Sequence, residues 1–324
     1  MAQLIGGKYA VGEALSSGRC RRTSPDIGWR RKQKRARIPA LGLELNRRAA
    51  RQGELHMSHR QWDEVKYEVA VANRVLAETG LATGFRASLG HVSMRIPSDP
   101  DKFVVKGRGY AVDSLHSVRP EDMIVVDLNG EFVDGPVGSS QCFEVKMHSS
   151  IFQARPDVKS VTHVHPHFTV LATTLRQRLR PMNQEGVALV KDELPIWPHI
   201  KTVQNDEEGK EVAALLGNGK AVLLRGHGAT TVGSSPEESV MTMLNLEEQA
   251  KMNYYALSAM GQDHPYIEDE LIAEMTERTA IIDLPHFAKV LPAGWRPRVG
   301  GVWQYYTRVV QNDPSAAPEM NRPS

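Results

Sequence analysis

Val161-Thr162-His163-Val164-His165-Pro166 sets two histidines two residues apart inside a β-branched apolar run. Side chains alternate along a strand, so both rings leave one face, about 7 Å apart. A second stretch, Leu223-Leu224-Arg225-Gly226-His227-Gly228, offers a third imidazole directly after the apolar run Ala221 to Leu224. Glycines on either side of His227 permit a sharp turn and leave the ring room to reach a ligand. Upstream, Glu144 opens an amphipathic stretch, Glu144 to Ala154, that leads into the His163 strand. Three imidazoles and a carboxylate form a donor set suited to Zn²⁺, with Fe²⁺ or Mn²⁺ as alternatives.

Outward from these stretches, strand and helix patterns alternate. Apolar residues Val65, Val69, Val71, Val75 and Leu76 follow helical spacing within Ser58 to Thr79, and Gly80 stops that helix. Strands are expected at His91 to Ile96, Phe103 to Lys106, Met123 to Asp127, Ala221 to Leu224 and Thr230 to Val232. Helices are expected at Phe168 to Leu175, Asp206 to Leu216 and, behind a Ser235 cap with Pro236 in first position, out to Met260. Leu128-Asn129-Gly130 reads as a hairpin turn, residues 181–205 as irregular, and Ile267 to Ala280 as an acidic helix before a Pro- and Trp-containing tail, Pro292 to Tyr306. The alternation predicts an α/β layer fold without repeats.

The chain has 324 residues, 41% hydrophobic and 24% charged, the balance of a globular protein. No apolar run reaches the roughly 18 residues of a membrane span. Two cysteines, Cys20 and Cys142, make no disulfide framework, so a cytoplasmic location is the expectation. The net charge of +2 is unevenly spread: residues 1–56 hold 13 Lys/Arg against 4 Asp/Glu, the rest 27 against 34. That basic head lacks a period that would bury a face, so it is expected to be a disordered extension of a domain spanning 57–324. A transit peptide or nucleic-acid arm shares its composition. An over-long reading frame with Met57 as the working start is the preferred reading, and nucleic acid is not an expected partner.

Glu144-X3-His148, Ala154-Arg155-Pro156-Asp157, His163-Val164-His165-Pro166, Arg225-Gly226-His227-Gly228 and Glu237-Glu238 resemble, in that order, the blocks of the class II aldolase/adducin family. Gly90-His91-Val92-Ser93-Met94-Arg95 and Arg119-Pro120-Glu121-Asp122 extend the likeness, which covers roughly Asp63 to Met260. The resemblance implies a three-layer α/β/α sandwich with a mixed central sheet, and a homotetramer with active sites between subunits. It also implies a divalent metal held by His163, His165 and His227, with Glu144 as a further ligand and the proton-transfer group.

Departures from the pattern bear on substrate. The family's sugar-phosphate aldolases carry Ser-Ser before the acid, where Cys142 and Phe143 stand here; their Gly-Asn is Gly90-His91, and their phosphate loop is replaced by Lys106-Gly107-Arg108-Gly109. No tyrosine occurs between Pro181 and Val190, near where those aldolases place a catalytic one. A carboxylate-bearing or aromatic substrate is therefore expected, with Phe143 as apolar wall and Lys106, Arg108 or His91 as cationic or hydrogen-bonding contacts. The pattern looks closer to branches that decarboxylate aromatic acids, or that use iron and oxygen on prenylated phenols. The leading expectation is a metal-dependent carbon–carbon lyase, aldolase or decarboxylase, working through an enediolate. A non-haem iron oxygenase on the same scaffold and an adducin-like, non-catalytic interaction domain are the alternatives. His148 is expected to pack beneath the sheet, His167 to lie on the surface, and Glu185, His199, Tyr305 and Tyr306 are further candidates for contact with substrate.

Overall fold

Strict period-2 alternation divides the strand side chains between two cores. Val104, Met123, Val125, Ala221 and Leu223 enter one; Phe103, Val105, Ile124, Val126, Val222 and Leu224 enter the other. A sheet buried on both faces must be covered on both faces, which is the physical basis of a three-layer sandwich. The computed structural model describes residues 62–109, 112–278, 284–289 and 300–312. The head expected at 1–56 lies outside them.

Eight strands are described: β1 (His91–Ile96), β2 (Asp99–Lys106), β3 (Met123–Asp127), β4 (Phe132–Asp134), β5 (Ser160–Val164), β6 (Ile196–Trp197), β7 (Ala221–Leu224) and β8 (Gly228–Gly233). They form one sheet in the order β4-β3-β2-β1-β5-β8-β7-β6, antiparallel throughout except for the parallel β6–β7 pair. The mixed sheet is as expected. One face is covered by helices α1 (residues 62–78), α3 (His167–Thr174), α6 (Pro236–Met260) and, through Trp303 and Val310, α9 (Gly300–Asn312). The other carries α2 (Val145–Ala154) and α5 (Asp206–Leu216). Short α4 (Val187–Val190), α7 (Asp269–Glu277) and α8 (Pro285–Ala288), with single 3-10 turns at Gly84–Arg86, Leu115–Ser117 and Pro120–Asp122, complete the described elements. No helix among the described residues is long and apolar enough to cross a membrane.

Local signals set most boundaries. Ser235 caps α6 through its side chain, which accepts from the Glu238 amide, and Pro236 occupies the first turn where its missing N–H costs nothing. Asn205 caps α5 in the same way. Gly80, at φ +81°, ends α1. Three expectations need correction. Residues 181–205 are not wholly irregular: they contain α4 and the edge strand β6, too short to show a period. The second strand begins at Asp99, four residues before the expected Phe103, since β2 and β1 close a tight hairpin in which Asp99 pairs with Ile96. The acidic helix is shorter than expected, and the tail carries α9.

Arg95 ties the α2 side together. Its guanidinium donates to the carbonyls of Val158, Pro100 and Phe152 and stacks 4.8 Å from the centroid of the Phe152 ring. Buried cations of this kind need such a set of acceptors.

Candidate metal centre

Sheet register builds the site. His91 on β1 pairs with His163 on β5, which pairs with Thr230 on β8, so the three side chains form a row across neighbouring strands. All three lie on the face covered by α2, because Val161, two residues from His163, belongs to that core. Glu144 enters the same space as the N-cap residue of α2, where the positive end of the helix dipole favours a carboxylate. The strand β5 ends at Val164, and His165 follows just beyond it. The turn between β7 and β8 brings in His227. Gly226 adopts φ +62° there, a conformation that favours glycine, and a Cβ at Gly228 would collide with the Val164 carbonyl oxygen and crowd the His165 ring. Both glycines are thus required by geometry.

Glu144, His163, His165 and His227 each present a ligand atom, and these atoms lie within 4.8 Å of one another. His163 Nε2 stands 3.1 Å from Glu144 Oε2 and 3.1 Å from His165 Nε2, and His227 Nε2 stands 3.3 Å from Glu144 Oε1. The tautomer of His163 follows from its other side. Thr230 Oγ1 donates to Met147 Sδ at 3.2 Å, so its oxygen accepts from His163 Nδ1, 3.1 Å away. Nε2 then carries a lone pair aimed at a carboxylate and a second imidazole. Glu144 Oε1 is buried and accepts no hydrogen bond. A lone pair and a carboxylate oxygen converging in a buried space repel unless a cation sits between them, and Thr230 holds the His163 imidazole in the form a metal requires. The donor set fits a divalent ion.

Electrostatics agree. Burial, reinforced by His163 and His227, pushes His165 down to about 2, and burial likewise lowers His227. Both rings are therefore neutral near pH 7, the ligating form. Burial raises the Glu144 carboxyl, but the neighbouring His163 and His91 rings outweigh it and hold the group well below the usual carboxylate range.

A second chain of contacts leads away from Glu144. His91 Nε2 lies 3.7 Å from Glu144 Oε2; its Nδ1 lies 2.8 Å from His148 Nε2, and His148 Nδ1 lies 2.6 Å from Ser93 Oγ. His148 is fully buried, as expected, but it is joined to the site through His91 rather than merely packed. Burial lowers His91 to about 4 and drives His148 well below its ordinary value, so both rings stay neutral. An ionised carboxylate beside His91 Nε2 favours a proton on that nitrogen, which in turn makes His91 Nδ1 the acceptor, His148 Nε2–H the donor and Ser93 the donor to His148 Nδ1.

The remaining candidates separate. Lys106 and Arg108 both reach Asp113, Arg108 Nη1 at 2.5 Å, and Lys106 is buried. The Arg108 guanidinium stacks 5.0 Å from the centroid of the Phe143 ring, which is largely exposed. Cys142 is buried, and burial with the Glu144 charge pushes its thiol up to about 12. His167 is exposed at the start of α3, as expected. His199 packs on Trp197, and Tyr305 is exposed on α9. Nothing in the sequence singles out Thr230, and Ser93 stands only as a member of the Gly90 to Arg95 block, with no role assigned. Each is found only through register with, or contact to, a histidine.

The sequence profile described as the Class II Aldolase and Adducin N-terminal domain matches residues 67–254. The chain belongs to this family. Among curated class II aldolase/adducin relatives, the 3,4-dihydroxyphthalate decarboxylase of Arthrobacter keyseri is 32% identical over 200 residues, 60% of this chain and 79% of that protein. Human beta-adducin is 26% identical over 177 residues, 53% of this chain but 23% of that protein. Among solved structures, an aldolase II superfamily protein from Pseudomonas syringae superposes with a TM-score of 0.64 at 23% identity, covering 79% of this chain and 95% of that one. At that identity the likeness speaks for the fold, the same class II aldolase-like sandwich.

Proposed function

We propose that the chain is a divalent-metal-dependent carbon–carbon lyase acting on a small, hydroxylated substrate that bears a carboxylate or an aromatic ring, with decarboxylation ahead of aldol cleavage. The observation that carries this reading is the convergence of ligand atoms from His163, His165, His227 and Glu144 within 4.8 Å of one another, with Glu144 Oε1 buried and accepting no hydrogen bond. An interaction module has no use for such an arrangement, which opposes the adducin-like alternative. The 32% identity to dihydroxyphthalate decarboxylases, together with Cys142-Phe143 in place of a hydroxylated anion cradle, favours an aromatic acid over a phosphosugar. Zn²⁺ is the preferred ion for three imidazoles and a carboxylate, with Fe²⁺ or Mn²⁺ as alternatives. A homo-oligomer, in the form of a tetramer, is part of the same proposal.

When bound, a divalent ion supplies an electron sink for the carbanion left as a carbon–carbon bond breaks. The protein's own groups do the rest. Glu144 Oε1, ionised, buried and without a hydrogen bond, is placed to take a proton from a substrate hydroxyl and return it to that carbanion. His91 Nε2 points its proton at Glu144 from the other side and orients the carboxylate. Arg108, stacked on Phe143, lies at the end that replaces the phosphate cradle, while buried Lys106 acts through Asp113. Elemental analysis of the purified protein tests the ion. Carbon dioxide release from dihydroxylated aromatic acids tests the reaction, and oxygen uptake during turnover would replace the lyase with the oxygenase.

A further inference from the structure

We propose that a pocket on the open side of the metal centre, walled by Phe85, Leu89, Val170 and Leu171, receives the flat apolar body of the substrate, and that Arg86 binds its carboxylate. The inference rests on the reading of the site as a metal centre and names the substrate-recognition residue that reading lacks. Glu144 and His163 are sealed from solvent, whereas His165 and His227 are partly exposed, and both of these line the pocket. A ligand that reaches the ion from outside therefore crosses this pocket.

Its walls are apolar apart from the histidines, Thr174 and one guanidinium. Arg86 Nη1 donates to the His165 carbonyl at 3.1 Å, so the side chain is fixed to the backbone of a ligand residue. Its Nε is buried without a hydrogen-bond partner, and among the described residues no carboxylate forms an ion pair with it. An unsatisfied buried donor on a charged group is costly unless a ligand completes it. Arg108 shares the unpartnered buried Nε, but Asp113 already neutralises it, as it does Lys106. Arg86 is the cation at the pocket with donors to spare. Phe85, 88% exposed beside it, offers a face to a planar ring, with the guanidinium 5.4 Å from its centroid.

A ligand that satisfies all three features has two adjacent oxygens for the ion, a flat ring for the pocket and a carboxylate for a planar, bidentate guanidinium. A dihydroxylated aromatic acid has this form. The test uses calorimetric titration of the full chain, loaded with Zn²⁺ and checked for stoichiometry, with catechol and with 3,4-dihydroxybenzoate. The carboxylate should raise affinity by roughly 10- to 100-fold in the unaltered protein, as expected for a charge-assisted contact. Arg86→Gln should erase that gain and leave catechol binding unchanged; Arg86→Lys, which keeps the charge without the fork, should retain part of it. A gain that survives Arg86→Gln, or one lost only in Arg108→Gln, overturns the assignment, as does failure of 3,4-dihydroxybenzoate to bind the loaded protein. Failure to take up the ion at all instead overturns the metal-centre reading, so the two outcomes are distinct.

Discussion

Loss of the ion, or of one ligand, can be read thermodynamically without any substrate. Four acceptors converge within 4.8 Å in the folded chain, and nothing holds them together in the unfolded one. An ion present at 1,000 times its dissociation constant therefore stabilises the fold by about 4.1 kcal/mol. In a domain of this size each kcal/mol moves Tm by about 2–4 °C, so chelation should lower Tm by roughly 8–16 °C. His163→Ala removes the fully buried ligand that touches both Glu144 and His165. Its cost should exceed the roughly 10- to 100-fold effect of altering a group behind a ligand. At the same free-ion concentration, a 100-fold loss leaves at most about 1.4 kcal/mol of stabilisation and a metal-dependent shift of roughly 3–6 °C. The alanine also opens a cavity, so each protein is compared with its own chelated form, which cancels the packing loss. Scanning calorimetry with and without chelator, paired with elemental analysis of the same samples, is the assay. An unaltered protein indifferent to chelation, or full metal stoichiometry in His163→Ala, would refute the reasoning.

Ser93→Ala should destabilise the fold by about 1–3 kcal/mol, because it leaves His148 Nδ1 buried without its 2.6 Å partner; urea unfolding indistinguishable from the parent would remove Ser93 from the chain of contacts. Burial holds His91 at about 4 in the folded protein, against 6.5 when unfolded, so the unfolded state takes up the extra proton and stability falls as pH drops through this window. That residue alone should account for a loss of about 2 kcal/mol between pH 7 and pH 5, and unfolding curves that coincide across that range would contradict it. Phosphosugars should bind poorly: at roughly 1.5–3 kcal/mol per charge-assisted bond, two bonds missing at Cys142 and Phe143 weaken binding more than about a hundredfold. Efficient turnover of L-fuculose 1-phosphate with none of the aromatic acids would refute that. A chain beginning at Met57 should keep metal content and turnover, and an inactive truncated protein would assign residues 1–56 a role.

Short-range signals made much of the fold legible. The Ser235-Pro236 start of α6 and the Asp206 start of α5 could be read directly, since caps and helical spacing act within a few residues. The strands Met123–Asp127 and Ala221–Leu224 were equally plain, being short apolar runs, the first of them rich in β-branched residues. The four candidate ligands were also legible, because two stand two residues apart, one sits in a glycine turn and one opens a helix, although His165 lies just past the end of β5 rather than on the strand face expected for it. β4, β6 and α4 were not, for a different reason: two to four residues carry no period, and such pieces exist only because a sheet edge or a helix surface receives them.

The sequence by itself thus determined the alternating layers, the candidate ligand types and the departure from a phosphate cradle, all of which are local properties of the chain. Tertiary structure decided which groups share charge and which remain available. Lys106 and Arg108 look like free anchors until Asp113 folds against both of them. Arg86 looks like an ordinary loop cation until the His165 carbonyl, 79 residues away, fixes it beside the open side of the centre. Likewise the row His91, His163 and Thr230 exists only through the register of β1, β5 and β8. Register and convergence arise from pairing between distant segments, and no periodicity within one segment encodes its partner's position.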